Sequence, residues 1–275
     1  MLLNHELVVA PGAEPKRLIV FLHGILGTGA NLRSHAKRLV SAQPDSGVLL
    51  MDLRAHGQSL GVEGADTVEN AAADVAQTAR TQSLPVEAVV GHSFGGKVAL
   101  AIAAQHPELK HVVTLDSAPG PRLDARGSES TVKVVTMLRE LRGPWARRDD
   151  FVSDVEAHGL SKGLAQWLGM NLERREAGFE FTLELNRIDA LLDDYFRVDL
   201  WPLVERAANE KKGPRFHLVI GTKSKVYEHD DRIRAQQLES KSEGYVTVDL
   251  LDAGHWVHVD DAQGVAMALQ HRLTF

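Results

Sequence analysis

The sequence predicts an α/β fold in which a mostly parallel central sheet is flanked by helices. Short apolar runs alternate with segments of helical spacing along most of the 275 residues. This alternation is typical of parallel sheets, because two parallel strands need a crossover connection between them. Glycine-rich turns follow several of the apolar runs, and the chain is long enough to bury a large core.

Six apolar runs predict buried strands, and five segments with helical spacing lie between or after them. The strands are expected at residues 17–22, 48–53, 86–90, 111–115, 216–221 and 246–251. The helices are expected at residues 32–41, 67–81, 94–106, 230–241 and 261–273. Residues 7–9 predict an antiparallel edge strand. In such a sheet, the loops that follow the parallel strands meet at one edge.

The alternation lapses between residues 120 and 201, which we interpret as an insertion. We therefore expect a core of residues 1–119 and 202–275, and a mainly helical insertion with helices at 132–141 and 188–198 and an alternating segment at 179–183. Eight of the fifteen aromatic residues fall inside it. Such a content suits an apolar cap over a cleft. The alternative is that the rings form a small core of the insertion itself.

Composition excludes several classes of function. Lys and Arg number 31 against 37 Asp and Glu, a net charge of −6, which disfavours a nucleic-acid partner. The absence of cysteine excludes disulfides, thiolate catalysis and Cys-ligated zinc. The start lacks the pattern of a signal peptide, and no apolar run is long enough to cross a membrane, so a cytoplasmic protein is expected.

Residues 142–150 mix both charges and predict a solvated turn.

A serine between glycines is the strongest candidate for chemistry. The segment Gly91-His92-Ser93-Phe94-Gly95 lies where the strand at 86–90 should turn into the helix at 94–106. Such a sharp turn needs small neighbours, because a bulky side chain at Gly91 or Gly95 would collide with the flanking elements. It leaves the Ser93 hydroxyl exposed beside the N–H groups that start a helix, which suits a nucleophile.

A serine nucleophile needs a base, and His255 is the best placed of the thirteen histidines. It follows the strand at 246–251 and so should reach the same edge of the sheet as Ser93. His258 lies three residues further on, and spacing alone does not exclude it.

The segment His23-Gly24-Ile25-Leu26-Gly27 also opens onto this edge, because it follows the strand at 17–22. A glycine-flanked loop there can direct backbone N–H groups at a developing oxyanion. The N–H groups of Ile25 and Phe94 are the natural pair. A tight turn without any chemical role is the alternative.

Together these motifs resemble the α/β-hydrolase superfamily, in their order and over nearly the whole chain. The resemblance includes the segments His23-Gly24, 52–59, 91–96 and Gly254-His255-Trp256. Details around 95–97 and 253–258 are similar to the small esterase branch that contains bacterial acyl-CoA esterases and an abhydrolase-domain mitochondrial relative. The resemblance implies an α/β-hydrolase fold, Ser93 as nucleophile, His255 as general base, and the Ile25 and Phe94 amides as oxyanion hole.

The acid departs from the common pattern of the superfamily. Many members place Asp three residues after the glycine that ends a late strand, but here Gly221 is followed by Thr, Lys and Ser224. Serine cannot carry the negative charge that stabilises an imidazolium. We therefore expect Asp116, directly after the strand at 111–115, to be the acid, with Ser224 as a supporting hydrogen-bond donor. Alternatives left open by the sequence are Asp230, Asp231 and Asp252.

Other polar residues near these motifs are expected to support them. His92 and His23 are assigned to the support of the two turns, and residues 52–59 to bracing of the loops, with Gly57 in a turn of positive φ. Lys97 lies one helical turn after Ser93. The sequence leaves open whether it is solvated, braces the fold or contacts substrate.

We therefore predict a serine hydrolase that cleaves carboxylic esters or thioesters through an acyl-enzyme intermediate, without a metal or organic cofactor. The expected partner is a small molecule with an apolar acyl group, and neither nucleic acid nor a membrane. A lyase or C–C bond hydrolase on the same residues, or a binding protein without catalysis, are the alternatives. A phosphate-binding P-loop at residues 91–98 is disfavoured, because Val98 stands where that motif needs a hydroxyl. Oligomeric state is left open.

Overall fold

Nine strands form two sheets in the computed structural model, which describes residues 1–122 and 129–275. They are β1 (His5–Val8), β2 (Arg17–Leu22), β3 (Ser46–Met51), β4 (Val86–His92), β5 (His111–Leu115), β6 (Leu172–Arg175), β7 (Gly178–Phe181), β8 (Arg215–Gly221) and β9 (Val246–Leu251). Strands β6 and β7 form a separate antiparallel pair. The other seven strands form the central sheet.

Eleven α-helices complete the described chain. They are α1 (Arg33–Ala42), α2 (Val68–Ala79), α3 (Phe94–Gln105), α4 (Glu129–Glu140), α5 (Arg148–Ala157), α6 (Lys162–Leu168), α7 (Leu185–Arg197), α8 (Trp201–Glu210), α9 (His229–Lys241), α10 (Val257–Asp260) and α11 (Ala262–Arg272). Within the described residues, no helix is both long enough and apolar enough to cross a lipid bilayer.

The central sheet has the order β1-β3-β2-β4-β5-β8-β9, and only β1 is antiparallel to its neighbour. Helices cover both faces: α2 and α3 pack into one apolar core, and α1 and α11 into the other. The alternation of β2 shows why both faces are buried, because Leu18 and Val20 point into the first core while Ile19 and Phe21 point into the second. The predicted α/β-hydrolase fold is confirmed.

The C-terminal ends of five parallel strands lie side by side and place the predicted site residues along one edge. In register, Leu22 of β2 pairs with Gly91 of β4, and His92 of β4 pairs with Leu115 of β5. On the other side β8 pairs with β9 up to Gly221. The loops after neighbouring strands therefore begin about 5 Å apart along one edge, as expected for a ligand site in an open parallel sheet.

Between β5 and β8 the chain leaves the sheet, in the segment where the sequence predicts an insertion. Helices α4 and α7 each begin three residues before the predicted segments, and β7 takes up most of the alternating segment. The part of the segment at 123–128 lies outside the described residues. Helix α8 begins at Trp201, next to the predicted boundary, and packs on α9, β8 and β9. Pro202 fits its first turn, where proline costs no hydrogen bond.

Two further local predictions differ from the structure. Strand β3 lies two residues before the predicted segment, because Asp52 leaves the sheet to accept hydrogen bonds from the Gly29 and Gln58 amides at 2.8 and 3.0 Å. The predicted turn at 142–150 is wrong at its end, since α5 begins at Arg148. Two aspartates in its first turn favour the helix start, where the helix dipole is positive.

Candidate active site

Ser93 occupies a sharp turn between β4 and α3. Its φ of +52° and ψ of −118° are unusual for a residue with a side chain, and such backbone strain clusters at functional sites. The turn depends on its glycines: a Cβ at Gly91 would lie 2.0 Å from the Gly95 carbonyl oxygen, and one at Gly95 would lie 2.5 Å from the His23 oxygen. The close packing therefore agrees with the requirement for small neighbours.

Ser93, His255 and Asp116 form one chain of hydrogen bonds. The Ser93 hydroxyl lies 3.0 Å from Nε2 of His255, and the Nδ1–H of His255 donates to Oδ2 of Asp116 at 2.8 Å. His255 stands in the loop between β9 and α10, whereas Asp116 directly follows β5. The carboxylate fixes the histidine tautomer in which Nε2 is free to accept the serine proton.

Asp116 is fully buried, and its carboxylate has two further donors. The Ser224 hydroxyl donates to Oδ2 at 2.5 Å, and the Gly221 amide donates to Oδ1 at 3.1 Å. A buried charge is tolerated only when it is hydrogen-bonded, so these two donors and His255 account for its position. Both donors come from the end of β8 and the loop after it.

The other acidic residues that the sequence left open make different contacts. Asp231 accepts from the indole N–H of Trp201 at 2.9 Å, and Asp252 lies 3.0 Å from the ammonium of Lys223. Asp230 is exposed in the first turn of α9. The alternative base, His258, is buried, and burial lowers its pKa to about 3. None of the four has a described hydrogen bond to Ser93 or His255.

Two more histidines support the turns around this chain. The Nε2–H of His92 donates to the carbonyl oxygen of His255 at 2.9 Å. His23 donates from Nδ1 to the Gly24 carbonyl at 2.8 Å and accepts from the Leu53 amide at 3.0 Å. Burial lowers the pKa of both histidines, so they stay neutral and can keep these roles.

The loop after β2 places Ile25 at the edge of the sheet where Ser93 lies. Its neighbours are fixed, because the Leu26 amide donates to Nε2 of His56 at 3.0 Å and the Gly27 amide donates to the Gly24 carbonyl. Phe94 is the first residue of α3, and its N–H has no partner within the helix. Both residues line a cavity together with Ser93 and His255.

This cavity has a volume of about 490 Å³ and two kinds of wall. An apolar side comes from the segment between β5 and β8, and a cationic side comes mainly from the loop after β8. The apolar lining includes Leu192, Tyr195 and Phe196, and the cationic lining consists of Arg122, Lys223 and Lys225. A smaller pocket of about 40 Å³ adjoins Ser93 and is lined by Trp167 and Trp256.

Sequence reasoning missed several of these residues. His56, which supports the Leu26 amide, was predicted only as part of a bracing loop, and burial lowers its pKa to about 3. No local sequence pattern indicates that Tyr195 and Arg122 line the cavity, because only folding brings them there. The residues 52–59 do brace the loops: the Arg54 guanidinium donates to the carbonyl oxygen of Glu63 at 3.0 Å, and Gly57 has a φ of +51°. In the described part of the chain, no three metal-ligating side chains come together.

Comparison with known proteins places the chain in a family. A model described as the alpha/beta hydrolase family matches residues 19–268. The chain is 30% identical over 254 residues to the sn-1-specific diacylglycerol lipase ABHD11 of Mus musculus, covering 89% of this chain and 77% of that protein. It is 24% identical over 278 residues to Esterase YbfF of Escherichia coli (strain K12), covering 99% of both.

Solved structures agree on the fold. A marine microorganism esterase superposes with a TM-score of 0.79 at 22% identity, covering 99% of both chains. The resemblance drawn from the sequence motifs is thereby confirmed. The chain belongs to the alpha/beta hydrolase family and is an esterase-like hydrolase.

Proposed function

We propose that this hydrolase cleaves carboxylic esters or thioesters through an acyl-enzyme intermediate, with Ser93 as nucleophile, His255 as general base and Asp116 as acid. One observation carries the proposal: the unbroken hydrogen-bond chain from the Ser93 hydroxyl through His255 to Asp116, at the wall of a cavity large enough for a small molecule.

The geometry supports a two-step reaction. Ser93 Oγ attacks the substrate carbonyl carbon while its proton passes to Nε2 of His255, and the carbonyl oxygen gains the negative charge. The imidazolium then gives that proton to the leaving alcohol or thiol as the bond to it breaks, which leaves an acyl-serine. Water repeats the sequence, with His255 again taking the proton, and releases the acid and the free serine. The Asp116 carboxylate stabilises the imidazolium in both steps.

We assign the oxyanion hole to the backbone N–H groups of Ile25 and Phe94. Their support is that both residues border Ser93 in the cavity, and that the Phe94 N–H lies at the positive end of α3. Donors that are fixed before the reaction stabilise the tetrahedral intermediate without reorganisation. The loss of one such donor typically lowers kcat by about 10²–10³.

The segment 120–201 is proposed as a cap over this cavity. Its support is the apolar lining that the segment supplies through Leu192, Tyr195 and Phe196. These side chains favour an apolar acyl group, because burial of apolar surface is the main gain on binding. Since one relative is a diacylglycerol lipase, long-chain glycerol esters belong among the substrates to be tested.

The cationic wall favours a substrate that also bears a negative charge. Arg122 lies 3.6 Å from Glu228, and Lys223 is paired with Asp252. Lys225 has no ion pair with any described residue and is exposed at the cavity, so its charge is available to a ligand. An anionic acyl substituent or leaving group would be stabilised there.

The net charge of −6 continues to favour small molecules over nucleic acid.

A fluorophosphonate probe tests the nucleophile. The unmodified protein should be labelled, Ser93→Ala should not, and Ser240→Ala, at an exposed serine of α9, should be labelled like the unmodified protein. Labelling of Ser93→Ala at the original rate would refute the assignment.

A substrate panel separates the remaining possibilities. It should span short to long acyl chains, oxygen and sulfur leaving groups, and charged and neutral forms of each. Burst kinetics with nitrophenyl esters would support the acyl-enzyme route. Labelling of Ser93 without turnover of any ester or thioester would instead favour a lyase, a C–C bond hydrolase or a binding protein.

A further inference from the structure

Lys97 is a fully buried lysine on α3, one helical turn after Ser93. Its ammonium donates to the carbonyl oxygens of Gly120, Tyr195 and Val198 at 2.8, 2.6 and 2.9 Å. Three carbonyls match the three N–H donors of an ammonium group. Burial lowers the pKa of Lys97 to about 7, and the three bonds offset part of the cost of burying its charge.

The three carbonyls belong to the two ends of the proposed cap. Gly120 stands at its start, Tyr195 lies in the last turn of α7, and Val198 follows that helix. The last carbonyls of a helix lack partners within it and form the negative end of its dipole. Lys97 therefore ties both ends of the cap to α3, the helix that begins directly after the proposed nucleophile.

Of the residues that Lys97 binds through their carbonyl oxygens, Tyr195 lines the cavity. Its side chain is buried, and its ring lies 4.5 Å from the Lys97 ammonium and 6.2 Å from the Phe94 ring. Burial raises the pKa of Tyr195 to about 12, and Tyr195 lines the same cavity as Ser93. The phenol is thus protonated at neutral pH and can donate a hydrogen bond in the cavity that the proposed nucleophile also lines.

We propose that Lys97 is a positioning residue that holds the Tyr195 hydroxyl against Ser93, and that Tyr195 donates to Ser93 Oγ. The proposal rests on Ser93 being the nucleophile. With one lone pair of Oγ engaged by the phenol, the serine proton points toward Nε2 of His255. As that proton leaves, the phenol stabilises the charge that develops on Oγ. Hydrogen bonds of this kind are often long in the free enzyme and shorten when substrate binds.

A double-mutant cycle on kcat tests the link. Tyr195→Phe removes only the hydroxyl and should lower kcat about tenfold, with little change in KM, as expected for one lost hydrogen bond. Lys97→Met should lower kcat at least as much, because it releases the end of α7. In the double variant, kcat should stay within about twofold of Lys97→Met alone, since the two residues act as one unit.

Ile102→Ala is the matched control. Ile102 is buried further along α3, so its truncation should lower the melting temperature while the tenfold effect of Tyr195→Phe persists in that background. A merely structural role of Lys97 would instead make the effects of Lys97→Met and Tyr195→Phe multiply. Multiplication of the two effects would overturn the proposal, and so would an unchanged kcat in Tyr195→Phe. The second measurement is informative even if Lys97→Met does not fold.

Fluorophosphonate labelling separates this inference from the proposed function. Fluorophosphonate labelling lost in Ser93→Ala but unchanged in rate in Tyr195→Phe would leave the nucleophile in place and reject the role of Tyr195. Labelling and turnover retained by Ser93→Ala would reject the function on which the inference rests. Slower labelling of Tyr195→Phe is the expected result, because the probe reacts with the same oxygen.

Discussion

His92 donates from Nε2 to the carbonyl oxygen of His255 at 2.9 Å, and their rings lie 4.9 Å apart. The residue before the proposed nucleophile thus holds the loop of the proposed base. The two come from β4 and from the loop after β9, which are separated in the sheet by β5 and β8. This bond spans the gap and keeps His255 Nε2 at 3.0 Å from Ser93.

We expect His92→Ala to lower kcat about two- to tenfold, the range for one lost hydrogen bond. The control is His35→Ala, because His35 makes the same kind of bond, from Nε2 to the His258 carbonyl at 2.8 Å, without contacting His255. Both variants should lose stability, but only His92→Ala should lose turnover of a nitrophenyl ester. Equal kcat in the two variants would show that the bond does not position the base.

Asp116→Asn should lower kcat about 10³–10⁴-fold, because an amide neither stabilises the imidazolium nor enforces the required tautomer. Asp231→Asn is the matched control, since Asp231 is bonded to Trp201 and not to His255. Steady-state kinetics on one short-chain ester compare the two. If Asp231→Asn collapsed turnover and Asp116→Asn did not, the acid would be misassigned.

Lys225→Gln should raise KM about two- to fivefold for esters that carry a carboxylate, as expected for the loss of one exposed ion pair. Neutral esters of the same length should keep their KM, and the difference should shrink at high salt. An acyl-side carboxylate and a leaving-group carboxylate are tested separately. Lys37→Gln, at an exposed lysine of α1, is the control. An equal change for neutral esters would argue against recognition of charge.

The stability of the fold should fall in acid because of buried histidines. His217 accepts from the Thr247 hydroxyl at 2.8 Å and lies 3.0 Å from Nδ1 of His111, and burial lowers its pKa from 6.5 to about 3. Between these pH values the unfolded chain binds a proton that the folded chain does not. The free energy of unfolding should therefore decrease as pH falls from 6.5 toward 3, by about 1.4 kcal/mol per pH unit for each such proton.

His217→Leu should reduce the slope of the free energy of unfolding against pH by up to the contribution of one proton. Denaturant unfolding at a series of pH values measures this slope. Other buried histidines should keep the remainder of the slope, among them His56 and His258, whose pKa values burial also lowers to about 3. Val113→Ala, on the neighbouring β5, should lower the free energy of unfolding without changing its slope. An unchanged slope in His217→Leu would mean that this histidine does not titrate as described.

Local patterns were sufficient to predict the layout of this chain. Hydrophobic runs and helical spacing predict the parallel sheet, and the glycines around Ser93 predict the sharp turn, because both depend on neighbours in sequence. The positions of Ser93 and His255 after their strands also predict that they share an edge. Their roles remain our proposal, but their location at the same edge of the sheet follows from strand direction alone.

Strand order and long-range packing decide the rest. Which aspartate meets His255 depends on β5 lying between β4 and β8, and no spacing in the sequence reveals that order. Likewise the sequence leaves the role of Lys97 open, and only the folded chain brings the three carbonyls at the ends of the proposed cap around it. Contacts between segments a hundred residues apart leave no local pattern, because their free energy arises only when the folded chain excludes water between them.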